Sequence, residues 1–284
     1  MKIVLVIGSQ NRHLSIANEL IKNFTIKDII LCNRHQVPQI ARPKSWITED
    51  SVFLKKHLTN LENDEINLIG KNNLANFKKL VLDKNINIFN VNNRYELNNL
   101  VSDKKFNSIS FDYDAIVVYG SWILEDPIFK LLKKTDKQFI NIHGGISPFF
   151  RGSSTLLWPL ILSQPELMGF TIHELDNQID HGPIFNYIFP DLKKGMAPTQ
   201  MMAACQLSLQ QNIAECISNC VEFKLKGLIQ DSYGKTFLEK DYRPNCLKTI
   251  YLQFNEKLFD IDEDTILERR MDYLGKYGSL IFQK

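Results

Sequence analysis

The chain lacks most features that would assign a function at a glance. Its five cysteines, Cys32, Cys205, Cys216, Cys220 and Cys246, are scattered over 284 residues. That is too few and too irregular for a disulfide scaffold, and no pair has zinc-ligand spacing. Reduced, structural thiols and no metal are expected. No stretch approaches the roughly 18 apolar residues of a membrane span. The apolar run Ile3 to Ile7, ended by Gly8, is too short for a secretory signal. Neither sign of charge is in excess, because 34 Lys+Arg against 32 Asp+Glu leave a formal net charge of +2. That balance gives no footprint for nucleic acid, although it accommodates an anionic small substrate. Repeats and low-complexity tracts are missing as well. The exclusions leave a cytoplasmic globular protein, in keeping with 44% hydrophobic and 23% charged residues.

What is present begins with short β-branched runs. Ile3 to Ile7 suits a strand buried on both faces, and Leu14, Ile16, Ala17, Leu20, Ile21 and Phe24 form a helical stripe after it. Ile29 to Cys32 then reads as a second strand. This β-α-β opening predicts an α/β fold, a mostly parallel sheet with right-handed crossovers. Further strands are expected at Ile86 to Val91, Ala115 to Tyr119, Phe139 to Ile142, Phe170 to Glu174 and Ile184 to Phe189. Residues 35 to 80 read as a helical insertion over the sheet edge. Helices are expected at Ile123 to Leu132, Leu156 to Leu162, Thr199 to Leu225 and Leu247 to Phe254, and the charged stretch 236 to 273 as a solvated face.

The chemistry concentrates between residues 138 and 185. Asn141 and His143 are two apart at the end of a predicted strand, so both side chains share a face. In a parallel α/β sheet ligands bind at the carboxyl ends of strands. Gly144-Gly145 and Pro148 turn the chain at once, and Asp180 stands on the turn signal His181-Gly182-Pro183. An amide can donate to an oxyanion, an imidazole can move a proton, and a carboxylate can orient the imidazole. Acyl transfer to an amine needs that set and no Ser or Cys nucleophile, because the amine attacks. His173, beside Thr171, reads as a hydrogen-bonded structural histidine.

The segments N-I-H-G-G-I-S-P-F-F-R-G and G-F-T-I-H-E-L-D-N-Q-I-D-H-G-P-I carry a resemblance. In order and spacing they are similar to the N-x-H, aromatic-Arg-Gly, G-x-T-I-H and D-x-G-x-I elements of the folate-dependent formyltransferase family. The resemblance implies a Rossmann-like catalytic domain over residues 1–230 with a short C-terminal extension, 231–284. It implies 10-formyltetrahydrofolate as formyl donor and a primary amine as acceptor. Asn141, His143 and Asp180 match the family's catalytic residues. Tyr119, Gly120, Ser121, Trp122, Ile123 and Leu124 fall where the family holds the pterin, helped by Asp176 and Ile179.

After the histidine this chain has Gly144-Gly145 where many members have Pro-Ser or a similar pair. The form H-x-G-x-S-P-aromatic-aromatic-R-G-S is similar to the branch that modifies amino sugars of surface polysaccharides, so a nucleotide-linked amino sugar is the expected acceptor. Arg12, Gly145 and Arg151 are its candidate contacts. Arg12 lies in Gly8 to His13, a turn lacking the full G-x-G-x-x-G fingerprint and the Walker lysine. Arg151 reads equally as a support for the active-site loop. Initiator tRNA and glycinamide ribonucleotide are the alternative acceptors, and a non-catalytic folate- or nucleotide-binding module is the alternative class. An initiator-tRNA enzyme would need a further C-terminal domain of roughly 100 residues. The last residues are the expected contact of a homodimer.

Overall fold

The computed structural model describes residues 1–33, 48–107, 112–133, 137–231 and 234–282. Part of the expected 35–80 insertion, residues 35–47, lies outside them. The first β-α-β unit is β1 (Lys2–Gly8), α1 (Asn11–Asn23) and β2 (Thr25–Cys32). It is followed by α2 (Thr48–Ile69), α3 (Asn73–Asp83), β3 (Asn87–Val91), α4 (Arg94–Asn98), α5 (Lys104–Asn107), β4 (Ala115–Tyr119), α6 (Ile128–Lys133) and β5 (Gln138–His143). The second half comprises β6 (Phe150–Gly152), α7 (Trp158–Ile161), β7 (Phe170–Glu174), β8 (Ile184–Ile188), α8 (Pro198–Glu222), β9 (Lys235–Phe237), α9 (Pro244–Asn255) and α10 (Glu263–Leu274).

Seven strands form one sheet in the order β3-β2-β1-β4-β5-β7-β8. Strands β1 to β5 run parallel, and β7 and β8 close that side antiparallel. Period-two alternation explains why helices cover both faces. Ile3, Leu5 and Ile7 of β1 enter one apolar core with α1 and α8, while Val4 and Val6 enter the other with Leu97, Phe106 and Ile128. The order reverses between β1 and β4, the place where doubly wound sheets open a crevice at their carboxyl ends.

Two expectations are corrected. The helix predicted over Ile123 to Leu132 is confined to Ile128–Lys133, because Pro127 disfavours helix in the residue before it and Ile123 faces outward, half exposed. The stretch 236 to 273 turns most of its charged residues toward solvent as expected but is not a solvated face throughout, since Phe237, Tyr242, Leu247, Ile250, Phe259 and Ile266 are all buried. Its entry point is β9, which pairs in parallel with β6, setting Gly152 opposite Phe237. Phe237 stacks on Trp158 with centroids 4.2 Å apart. No sequence period announces three-residue strands whose paired residues lie 85 positions apart, so this small sheet was invisible beforehand.

Candidate active site

Antiparallel pairing of β5 with β7 sets Asn141 opposite His173 and His143 opposite Thr171. The turn between β7 and β8 brings Asp180 over this face, its backbone left-handed at φ 50. Gln230 fixes that turn by donating to the carbonyls of Asp180, at 2.9 Å, and Gly182, at 2.7 Å. Three predicted residues thereby converge. Asn141 Nδ2 lies 3.2 Å from Asp180 Oδ1, and His143 Nδ1 lies 3.3 Å from Asp180 Oδ2. The Gly152 N–H donates to the same Oδ2 at 2.9 Å.

Hydrogen-bond roles follow from what each partner can do. His143 Nε2 is 2.7 Å from the Phe150 carbonyl, which only accepts, so Nε2 carries a proton. A second proton, if taken up, would sit on Nδ1 against Asp180. His173 Nδ1 likewise donates to the Glu174 carbonyl at 2.7 Å, leaving Nε2 to accept from Asn141 Nδ2 at 3.0 Å. Both Asn141 amide protons are thus engaged, one by His173 and one by Asp180. Gly145 makes room for this arrangement, because a Cβ there would stand 2.6 Å from the Phe150 carbonyl and 2.8 Å from His143 Nε2.

Burial opposes charge on Asp180, but a protonated His143 or His173 beside it, together with the Gly152 N–H, holds its carboxyl well below the usual carboxylate range. It is ionised even beside a neutral His143, since Asn141 and Gly152 donate to it regardless of charge on the ring. Burial also pushes the His143 imidazole below its usual value, against the pull of Asp180. The pair is therefore a carboxylate facing an imidazole with room for one more proton.

The trio opens into a cavity of about 1250 Å³. Tyr119, Gly120, Ser121, Trp122, Ile123 and Leu124, the expected donor residues, all line it, as do Asp176 and Ile179. The Tyr119 hydroxyl donates to Gln206 Oε1 at 2.9 Å. Residues from the start of α1, α2, the Gly152–Leu157 loop and residues 237–239 line the same cavity. Arg12 is among them, with Nη1 3.2 Å from Glu65 of α2. Gly145 and Arg151 lie outside the lining. Gly145 is buried behind His143, and Arg151, 5% exposed, donates from Nε to the Pro148 carbonyl at 3.2 Å, which supports the loop.

The family model described as formyl transferase matches residues 51–208, more than half of the chain. The chain belongs to the formyl transferase family. Among curated relatives it is 25% identical over 132 residues to a methionyl-tRNA formyltransferase of Pelagibacter ubique, covering 46% of this chain and 41% of that protein. It is 44% identical over 45 residues to a dTDP-4-amino-4,6-dideoxyglucose formyltransferase of Mycobacterium tuberculosis, covering 16% and 18%. The chain thus matches well under half the length of these relatives. Among solved structures, a 4-N formyltransferase from Francisella tularensis shares the fold at a TM-score of 0.53 and 18% identity, over 89% of this chain and 87% of that one.

In this member of the family, sequence reasoning missed the residues that arrive from a distance. The Phe150 carbonyl and the Gly152 N–H are backbone groups, invisible in side-chain patterns. Glu65 and the β9 residues needed tertiary pairing. For His173 a signal existed, since it shares a period-two face with Thr171 across from β5, but the register with Asn141 could not be read.

Proposed function

We propose that this protein transfers a formyl group from 10-formyltetrahydrofolate to the primary amine of a nucleotide-linked amino sugar, in the cytoplasm, as a step toward a surface polysaccharide. The observation that carries the reading is the convergence of Asn141, His143 and Asp180 on the wall of one large cavity. A volume of about 1250 Å³ exceeds the usual range for a single small ligand and suits a donor and an acceptor together. Residues 119–124, Asp176 and Ile179, which the reading assigns to the pterin, line that cavity together.

In this reading the protein first brings amine and formyl carbon together, which supplies much of the acceleration. Asn141 Nδ2 donates to the formyl oxygen as it gains charge, displacing its longer contact, 3.2 Å, to Asp180. Asp180 draws the proton from the attacking nitrogen, and His143 Nδ1 holds it against the carboxylate. As the bond to the folate nitrogen breaks, the same pair returns the proton to that nitrogen, so the site ends in its starting state. Arg12, which lines the cavity, is assigned to acceptor phosphate.

The test is to incubate purified protein with 10-formyltetrahydrofolate and a panel of amines, then detect formylated product by mass. The panel holds dTDP-4-amino-4,6-dideoxyglucose, other nucleotide-linked amino sugars, glycinamide ribonucleotide and methionyl initiator tRNA. Formylation of a sugar nucleotide is the expected result. Formylation of the tRNA or the ribonucleotide alone would replace the acceptor, and folate binding without any product would leave a binding module.

A further inference from the structure

Six described non-glycine residues have left-handed backbone: Asn85, Ser154, Ser163, Asp180, Lys224 and Lys257. Four of them need no special reason. Asn85, Ser163, Lys224 and Lys257 each stand directly after the C-cap residue of a helix (Lys84, Leu162, Phe223 and Glu256), where helices habitually end in this conformation. The two left over, Asp180 and Ser154, both line the cavity. Strain of this kind persists where the surroundings over-determine it, and it gathers at functional sites.

The surroundings of Ser154, at φ 57, are over-determined in this sense. On one side Gly152 is bound to Asp180, and the Ser153 N–H donates to the Phe237 carbonyl at 2.8 Å. The Trp158 indole donates to the Ser153 carbonyl at 3.2 Å, and the Leu157 N–H to the Ser154 carbonyl at 2.9 Å. Beyond it, the Thr155 hydroxyl is bound to the Gly144 carbonyl. The backbone is pinned on both sides, yet Ser154 is exposed and lines the cavity. It stands two residues from the amide that holds Asp180.

Resting on the formyl-transfer reading, we propose that Ser154 is a specificity-determining residue for the acceptor, whose hydroxyl hydrogen-bonds a polar substituent on the sugar ring that carries the reacting amine. A hydroxyl both donates and accepts, which suits a sugar hydroxyl. A rigid loop presents it without the entropy cost of ordering a long side chain.

The experiment compares wild type with Ser154→Ala, Ser154→Gly and Ser154→Asn. Calorimetric affinity for dTDP-4-amino-4,6-dideoxyglucose and the other sugar nucleotides of the panel is measured beside kcat and the KM values of both substrates. Ala and Gly should each weaken sugar-nucleotide affinity about 3- to 10-fold, the size of one neutral hydrogen bond, while kcat and donor KM stay near wild type. Gly tolerates the left-handed backbone and should melt no lower than wild type, so its loss of affinity cannot come from the fold. Asn, which also tolerates this conformation, should recover part of the affinity. Unchanged affinity in both Ala and Gly, or a loss in Ala alone that follows its melting temperature, overturns the assignment. So does wild type that binds no sugar nucleotide of the panel. Wild type that binds one without formylating it refutes the chemistry instead, and the affinity comparison still decides Ser154.

Discussion

His143 and Asp180 face each other at 3.3 Å, Nδ1 to Oδ2, with the far nitrogen of the ring already donating to the Phe150 carbonyl. The relationship fixes the ring by its far side and leaves the near side for a proton in transit. A free imidazole in the same place could rotate or change tautomer. Here burial keeps the ring neutral at rest and the carboxylate stabilises it once charged, which suits a group that accepts a proton and gives it back.

Asp180→Asn is therefore expected to fold and to lose catalysis. Asn tolerates the left-handed backbone and preserves an acceptor for the Gly152 N–H. Without the charge, a proton at His143 Nδ1 is no longer stabilised. We expect kcat to fall by about 10²–10⁴-fold, the usual contribution of a positioned acid–base group. Asn141→Ala removes the proposed oxyanion donor and should cost about 10²–10³-fold in kcat. Steady-state formyl transfer with circular dichroism as a folding control checks both, and full activity in either variant removes the assigned role.

A different histidine governs acid stability. His57 of α2, 3% exposed, has Nδ1 2.9 Å from the Tyr251 hydroxyl of α9. Burial pushes its pKa down from 6.5 to about 4. A folded value below the unfolded one means that the contribution to stability is complete above about 6.5 and is lost as pH falls toward about 4. The full effect is on the order of 3 kcal/mol. His57→Gln keeps a hydrogen-bonding partner for Tyr251 and does not titrate. Denaturant melts between pH 7 and pH 4 should show wild type losing stability more steeply than the variant. Parallel curves would mean that His57 is readily protonated in the folded state.

Much of this architecture was written locally. β-Branched runs buried on both faces gave the central strands, because a parallel sheet covered by helices leaves no polar side to alternate with. Asn141 and His143 were legible because period two is strict, and Asp180 because a turn signal follows it. Arg151 shows the limit. Its place between two aromatics and a glycine fitted either a substrate contact or a loop support, and only the burial of its guanidinium under Pro148 separates them. The small β6–β9 sheet shows the same limit at longer range. Its strands have no period of their own, and their pairing follows from Phe237 packing against Trp158 rather than from any local propensity.

That small sheet should be sensitive at Gly152. Its φ is 96, and a Cβ there would lie 2.0 Å from the Phe237 carbonyl oxygen, a backbone atom that cannot swing aside. Gly152→Ala should therefore part β6 from β9 and draw the Gly152 N–H away from Asp180. We expect a loss of about 1–3 kcal/mol from backbone strain alone, together with a fall in kcat. Gly195→Ala is the control, since its φ is 82 but nothing lies within 4 Å of the new Cβ. It should lower the melting temperature and leave kcat as in wild type. Equal kcat in the two variants would break the proposed link between the small sheet and the Asp180 carboxylate.

The charge pair of Arg12 and Glu65 separates binding from folding. Glu65 is 7% exposed, and burial raises its carboxyl pKa against the opposing pull of Arg12. Arg12→Ala leaves that carboxylate buried without its cation, which costs more than the pair itself contributes. The single variant should lose about 1–3 kcal/mol, the penalty of an unsatisfied buried group. Adding Glu65→Gln to Arg12→Ala should restore most of the stability, because the buried group is then neutral. Acceptor affinity should behave differently. If Arg12 meets phosphate, both the single and the double variant should raise the KM for a sugar nucleotide by about 10-fold, the loss of one charge-assisted hydrogen bond. Thermal melts report the first effect and steady-state kinetics the second. A KM that recovers together with stability in the double variant would assign Arg12 to holding α2 in place and remove it from acceptor binding.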